Sequence, residues 1–181
     1  MILEARLATL GLQPIYGTYR PLSSDEIATL EALMGGALPD DYKAFVSKFG
    51  CSYFGESAIV VRPATLPPRE VTSTGLLGFG AFFGGGQKEY ALLVDYELDR
   101  GRMPETVFPF ACDHTGSQFC LGVIGNDQGR VYYWWFAHEQ APEDYIAQGL
   151  PVPDDLWYCN MTLVADSFTD FVNRLEKRED S

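Results

Sequence analysis

At 181 residues the chain has room for one domain with decorations rather than two. Its hydrophobic share of 46% and charged share of 21% are those of a globular protein and exclude global disorder. The net charge of −12 argues against nucleic-acid backbones and anionic membranes as partners and favours a basic one, although solubility alone also explains it.

Residues 1–10 carry Leu3, Leu7 and Leu10 at helical spacing and predict a short helix. Residues 11–21 read as a linker containing Tyr16 and Tyr19. Residues 1–22 therefore form an N-terminal extension to one α+β domain over 23–181. The opening residues are amphipathic and include Glu4, unlike a signal peptide, and no apolar run reaches membrane-spanning length. The expected compartment is the cytoplasm.

A clear helix follows. Ser23 is a good N-cap with Glu26 three residues on, Ile27, Leu30 and Met34 make an apolar face, and Gly35-Gly36 ends it. The next helix begins at Pro39, with Asp40 and Asp41 complementing its dipole. Tyr42, Phe45, Val46 and Phe49 form its buried stripe and Gly50 terminates it. Together they make a tight helix pair.

Residues 57–62 read as a strand around Ile59-Val60-Val61, and residues 63–69 as a proline-rich exposed loop. Residues 76–86 are apolar and glycine-heavy. Their spacing is wrong for a dinucleotide fingerprint and no GK[ST] follows, so a strand with bends is favoured over phosphate binding. Residues 89–98 fit a strand or a short helix equally well. Asp99-Arg100-Gly101-Arg102 is a polar turn.

Three apolar runs come next, 106–112, 118–124 and 130–136, separated by the polar gaps 113–117 and 125–129. They predict a meander of hairpin strands. In the second, Phe119, Leu121 and Val123 oppose Cys120, Gly122 and Ile124. In the third, Val131, Tyr133 and Trp135 oppose Tyr132, Trp134 and Phe136. Apolar residues on both faces mark a central, doubly covered strand. Pro109 cannot donate a ladder hydrogen bond, which puts the first run at an edge or breaks it there.

Residues 138–158 are loop-like and acidic, with Glu139, Glu143, Asp144, Asp154 and Asp155. The last element is a helix capped by Asp166 or Ser167. Phe168, Phe171, Val172 and Leu175 form its stripe, and Lys177 and Arg178 suit its C-terminal end.

No cofactor or metal is expected. The four cysteines, Cys51, Cys112, Cys120 and Cys159, contain no C-x-x-C pair and are expected as buried, reduced thiols, although Cys112 and Cys120 flank a hairpin and can face each other. Cys112, Asp113 and His114 supply a nucleophile, an acid and a base, but neighbours on a strand point apart, and a loop-shaping role for Asp113 is favoured over a hydrolase using Cys112 or His114. His138 beside Glu139 suggests a base or ligand, yet two histidines in the chain argue against a His-based metal site. Tyr132, Tyr133, Trp134 and Trp135 lack the basic neighbours that base stacking needs, which favours core packing.

The order of four pieces resembles the SUKH superfamily, founded on the Smi/Knr cell-wall assembly regulators. The first runs from Ser24-Asp25-Glu26-Ile27 and Leu30-Glu31 to Leu38-Pro39-Asp40-Asp41-Tyr42-Lys43-Ala44-Phe45 and Phe49-Gly50. The others are Phe108-Pro109-Phe110-Ala111-Cys112-Asp113-His114-Thr115-Gly116, then Gly129-Arg130-Val131-Tyr132-Tyr133-Trp134 followed by His138, then Ala165-Asp166-Ser167-Phe168-Thr169-Asp170-Phe171. Ser117 stands where many relatives carry an acid. The resemblance implies an α+β fold, a mainly antiparallel central sheet with an N-terminal helix pair and a C-terminal helix packed on it. It also implies a non-enzymatic, protein-binding role. Bacterial members are often immunity proteins that bind toxins, and fungal members regulate cell-wall assembly through protein contacts. The acidic balance suits a cationic toxin domain, with Asp113, Glu139, Glu143, Asp144, Asp154 and Asp155 as the expected contact residues; a regulatory scaffold for endogenous proteins is the alternative.

Overall fold

The computed structural model describes residues 2–55, 58–86 and 89–178. In chain order the elements are α1 (Ile2–Leu10), β1 (Gln13–Pro14), α2 (Ser24–Met34), α3 (Asp40–Val46), β2 (Ser52–Tyr53), β3 (Ile59–Val61), β4 (Leu77–Phe79), β5 (Ala81–Phe82) and α4 (Leu92–Asp99). The second half adds β6 (Val107–Cys112), β7 (Gln118–Gly122), β8 (Val131–Trp134), α5 (Pro142–Ala147), β9 (Met161–Ala165), α6 (Phe168–Arg174) and β10 (Leu175–Lys177). The seven-stranded sheet has the order β1-β2-β5-β6-β7-β8-β9, and a smaller sheet has β10-β3-β4. Every named strand pair is antiparallel, and the fold is α+β as expected.

The meander is present as adjacent strands, with Phe119 opposite Tyr133 and Cys120 opposite Tyr132. Its two faces separate as the alternation requires. Phe119, Leu121, Val123, Val131 and Tyr133 enter the main core, and Cys120, Tyr132 and Trp134 enter a second cluster with Met103 and Val107. Pro109 does not put β6 at an edge, because β6 lies between β5 and β7. A register shift between Pro109 and Ala111 absorbs the missing donor. Cys112 pairs with Gln118 and Cys120 with Pro109, so the two thiols do not face each other. All four cysteines are free. Cys51 and Cys120 are buried, Cys112 is half-buried, and Cys159 is exposed, contrary to the expectation that all are covered.

Buried residues of α1, α2, α3, α4 and α6 build the main core against the sheet. Ser23 and Glu26 form the reciprocal cap of α2, and Gly35 closes it with φ +68°. Tyr42 and Phe45 of α3 meet Phe168 of α6 at ring-centroid distances of 5.1 and 5.0 Å, and Phe110 meets Phe171 at 5.3 Å. Asp41 ties the two helices further. Its Oδ2 accepts hydrogen bonds from the Thr169 backbone N–H at 2.8 Å and hydroxyl at 2.9 Å, so a carboxylate on α3 caps the first turn of α6. Leu7 and Leu10 of the N-terminal segment also join this core, and Gln13–Pro14 joins the large sheet.

Several local readings change in the fold. Residues 92–99 are a helix, which settles the ambiguity at 89–98. Gly50 lies beyond the end of α3, and a Cβ there would meet the Arg20 carbonyl oxygen at 2.1 Å, so close chain approach rather than helix termination requires it. Helix α6 stops at Arg174, because Leu175–Lys177 leaves it to pair with β3; Lys177 therefore stands on a strand and Arg178 beyond it. Ser57 of the strand expected over 57–62 lies outside the described residues. The proline-rich loop is anchored: Pro63 and Pro67 are buried, and the Ala64 and Thr65 N–H groups donate to the Val164 and Leu163 carbonyls on the outer edge of β9. At the other end of the large sheet, β1 finishes in Pro14.

Candidate functional site

The second face of the sheet organises the acidic segment. Its cluster is Met103, Val107, Cys120, Tyr132 and Trp134, with Met161 and Leu163 packed against it. The connection from β8 to β9 is fastened to this face at both ends.

At the near end the fastener is Arg102. Its guanidinium donates to the Asp99 carboxylate at 2.6 Å and to both oxygens of Glu139. It also lies over the Trp134 and Phe136 rings at 5.1 and 5.5 Å. Asp99 is buried and accepts as well from the Gln118 side chain. The polar turn expected at 99–102 is thus half helix end and half buried ion cluster.

At the far end the fastener is Asp127. Its carboxylate accepts from the hydroxyls of Thr106 at 2.6 Å, Tyr132 at 2.8 Å and Tyr158 at 2.5 Å. Burial alone would raise this carboxyl, but the hydroxyls outweigh it and hold the group below the ordinary aspartate range. Asn160 adds a bond from its side-chain amide to the Trp135 carbonyl at 3.1 Å.

The segment expected to be a loop over 138–158 carries α5 between these fasteners. Pro142 stands at its start, Asp144 accepts from the Ala141 N–H, and α5 buries none of its residues.

The six expected contact residues therefore fall into distinct environments. Glu139 is paired with Arg102, which it shares with Asp99. Asp144 is exposed but spends one oxygen on the cap. Glu143, Asp154 and Asp155 are exposed and have no ion-pair partner among the described residues. Asp113 stands apart in the β6–β7 turn, where its oxygens accept from the Thr115 and Ser117 N–H groups and the Thr115 and Tyr133 hydroxyls. That is the loop-shaping role. Ser117 is buried in the same turn.

Cys112 and His114 line one small cleft of about 220 Å³ with Tyr53 and Tyr90. Burial pushes the Cys112 thiol up to about 11, which keeps it protonated and a poor nucleophile at neutral pH. No hydrogen bond joins Cys112 or Asp113 to the exposed His114 among the described residues. The side chain of His138 lies outside what the structure describes.

Asp95 on α4 carries the most displaced carboxyl of a described acid, raised to about 6 by burial and by the neighbouring Asp99 charge. An acid raised on folding binds more protons in the folded chain. Its contribution is therefore present at low pH and lost as pH rises from about 4 to about 6. Asp95→Asn is expected to raise stability at pH 7.5 by about 1 kcal/mol and to change it little at pH 4. Urea midpoints at the two pH values check this, and an equal gain at both would refute it.

Sequence reasoning did not find Arg102, Asp127 or Tyr158 as site-positioning residues. The contacts Arg102–Glu139, Thr106–Asp127 and Tyr158–Asp127 span 21–37 residues of chain, and no local pattern encodes such pairs.

The family model described as SMI1 / KNR4 family (SUKH-1) matches residues 21–174 of this chain. The chain is also similar to the SPbeta prophage-derived uncharacterized protein YokK of Bacillus subtilis (strain 168). The two are 25% identical over 165 residues, which cover 86% of this chain and 76% of that protein. No described helix is long and apolar enough to cross a membrane.

Proposed function

Because the chain belongs to the SMI1 / KNR4 family (SUKH-1), we propose that it is a non-catalytic, protein-binding domain of the immunity type, neutralising a bacterial toxin in the cytoplasm by direct contact. The observation that carries this reading is a rigid sheet from which a twice-fastened segment projects uncompensated carboxylates, in a chain of net charge −12. Preorganised negative charge favours fast, salt-dependent association with a cationic surface. A nuclease domain, whose cleft is built to meet phosphates, has that surface. The similarity to a prophage protein fits a gene carried on mobile elements.

The test begins with the proteins encoded beside this one. One of them is expected to bind the purified chain, and the chain is expected to protect cells that express it. The Glu143→Gln, Asp154→Asn and Asp155→Asn triple variant is expected to weaken binding by about ten-fold near 0.1 M salt and to flatten its salt dependence. Titration calorimetry at two ionic strengths reads both. Housekeeping partners without any protection would favour a regulatory scaffold instead.

A further inference from the structure

The middle of the 136–158 connection is a short helix capped at both ends. The six residues of α5 bury no side chain, and a helix of that length has no stability of its own. Its closing turn bonds the Gly149 N–H to the Ile146 carbonyl at 3.0 Å and the Leu150 N–H to the Tyr145 carbonyl at 2.9 Å, with Gly149 at φ +69°. Its apolar residues nonetheless face water, Ile146 being 66% and Leu150 51% exposed. Glu143 precedes Ile146 by three residues, so the two are neighbours on the helix surface. An element that sets exposed aliphatic groups beside the unpaired Glu143 carboxylate has the anatomy of an interface.

We propose that α5 with Leu150 is a docking face for an amphipathic basic helix of a protein partner. Aliphatic residues of that helix seat on Ile146 and Leu150, and its lysines or arginines meet Glu143, Asp154 and Asp155. The proposal rests on the protein-binding reading above and adds the chemistry of the partner and the source of affinity. The apolar pair holds the complex, and the carboxylates steer and orient it. Charge selects the occupant, since a second copy of the chain would bring its own excess of carboxylates to the same face.

The experiment titrates a synthetic Leu/Lys amphipathic helix into the full chain in about 0.1 M salt, with oligolysine of equal charge as the comparison. The Leu/Lys peptide is expected to bind at least about ten-fold more tightly than oligolysine. The Ile146→Asp, Leu150→Asp double variant, with its fold confirmed by circular dichroism, is expected to weaken the peptide by about ten-fold or more. Leu66→Asp, at a residue 84% exposed elsewhere, is expected to change nothing. Equal binding of oligolysine, an equal loss in Leu66→Asp, or no binding of the Leu/Lys peptide would each overturn the proposal. So would self-association in sedimentation that the double variant abolishes. A toxin partner bound normally by the double variant but lost by the carboxylate variant would sink this inference alone. Tight peptide binding with no toxin partner would leave it standing and sink the immunity reading.

Discussion

Arg102→Ala is expected to cost about 3 kcal/mol and to release the start of the acidic segment. The guanidinium is the cationic partner of Asp99, whose side chain is only 8% exposed, and of Glu139. Removing it leaves a buried carboxylate without its counter-charge, and the desolvation penalty then stands uncompensated. The figure sits at the low end for such losses because a third of the Arg102 side chain reaches water. Two readouts separate the parts of the effect. The urea midpoint reports the stability, and limited proteolysis between residues 136 and 145 reports the release. Asp99→Asn placed on top of Arg102→Ala is expected to recover part of the loss, because the orphaned charge is gone. A single variant as stable as the parent would show that the cluster contributes nothing.

The second large effect is expected at Phe168. Its ring stands 5.1 Å from Tyr42, 5.0 Å from Phe45 and 5.6 Å from Phe110, and it is fully buried where α3, α6 and the sheet meet. Phe168→Ala is expected to destabilise the domain by about 3–5 kcal/mol through lost burial and the cavity left behind. Chemical denaturation reads this directly. Because Asp41 caps α6 from α3, both helices are expected to loosen together, visible as faster amide exchange in residues 40–46 as well as 168–174. Loosening confined to α6 would contradict the shared packing.

The parts of the fold that were legible in the sequence are those whose signal is local. Alternation separated Phe119 from Cys120 within one run and Tyr133 from Trp134 within the next, because the side-chain period of a strand is fixed by its backbone, while the strand register decides that Phe119 and Tyr133 share a face. Ser23 with Glu26 was readable, and the last helix's cap was narrowed to Asp166 or Ser167, of which Ser167 is the one, because caps act over three residues. The strand β9 went unrecognised although Thr162 and Val164 alternate inward, since five residues after an acidic stretch carry little weight. Strands β1 and β2 have two residues each and exist only through their partners. Helix α5 had a readable start in Pro142-Glu143-Asp144, but its missing apolar stripe made it look like a loop. The ends of α6 and the bulge at Pro109 depended on tertiary pairing, which overrode helical periodicity in one case and an edge preference in the other. The acidic stretch itself was visible, whereas the division of its carboxylates into paired and unpaired required Arg102 to be placed in space.

The two margins of the large sheet share a property that bears on how the protein behaves when crowded. On β9 the outward carbonyls of Leu163 and Val164 already accept from residues 64 and 65, and at the opposite margin Pro14 has no amide hydrogen to offer. A neighbouring molecule that tried to add a strand would find its acceptors taken on one side and a missing donor on the other. Stacking of molecules into fibrils through this sheet is thereby discouraged at its source, and the surface that projects from its second face can be displayed at high concentration without recruiting the sheet beneath it.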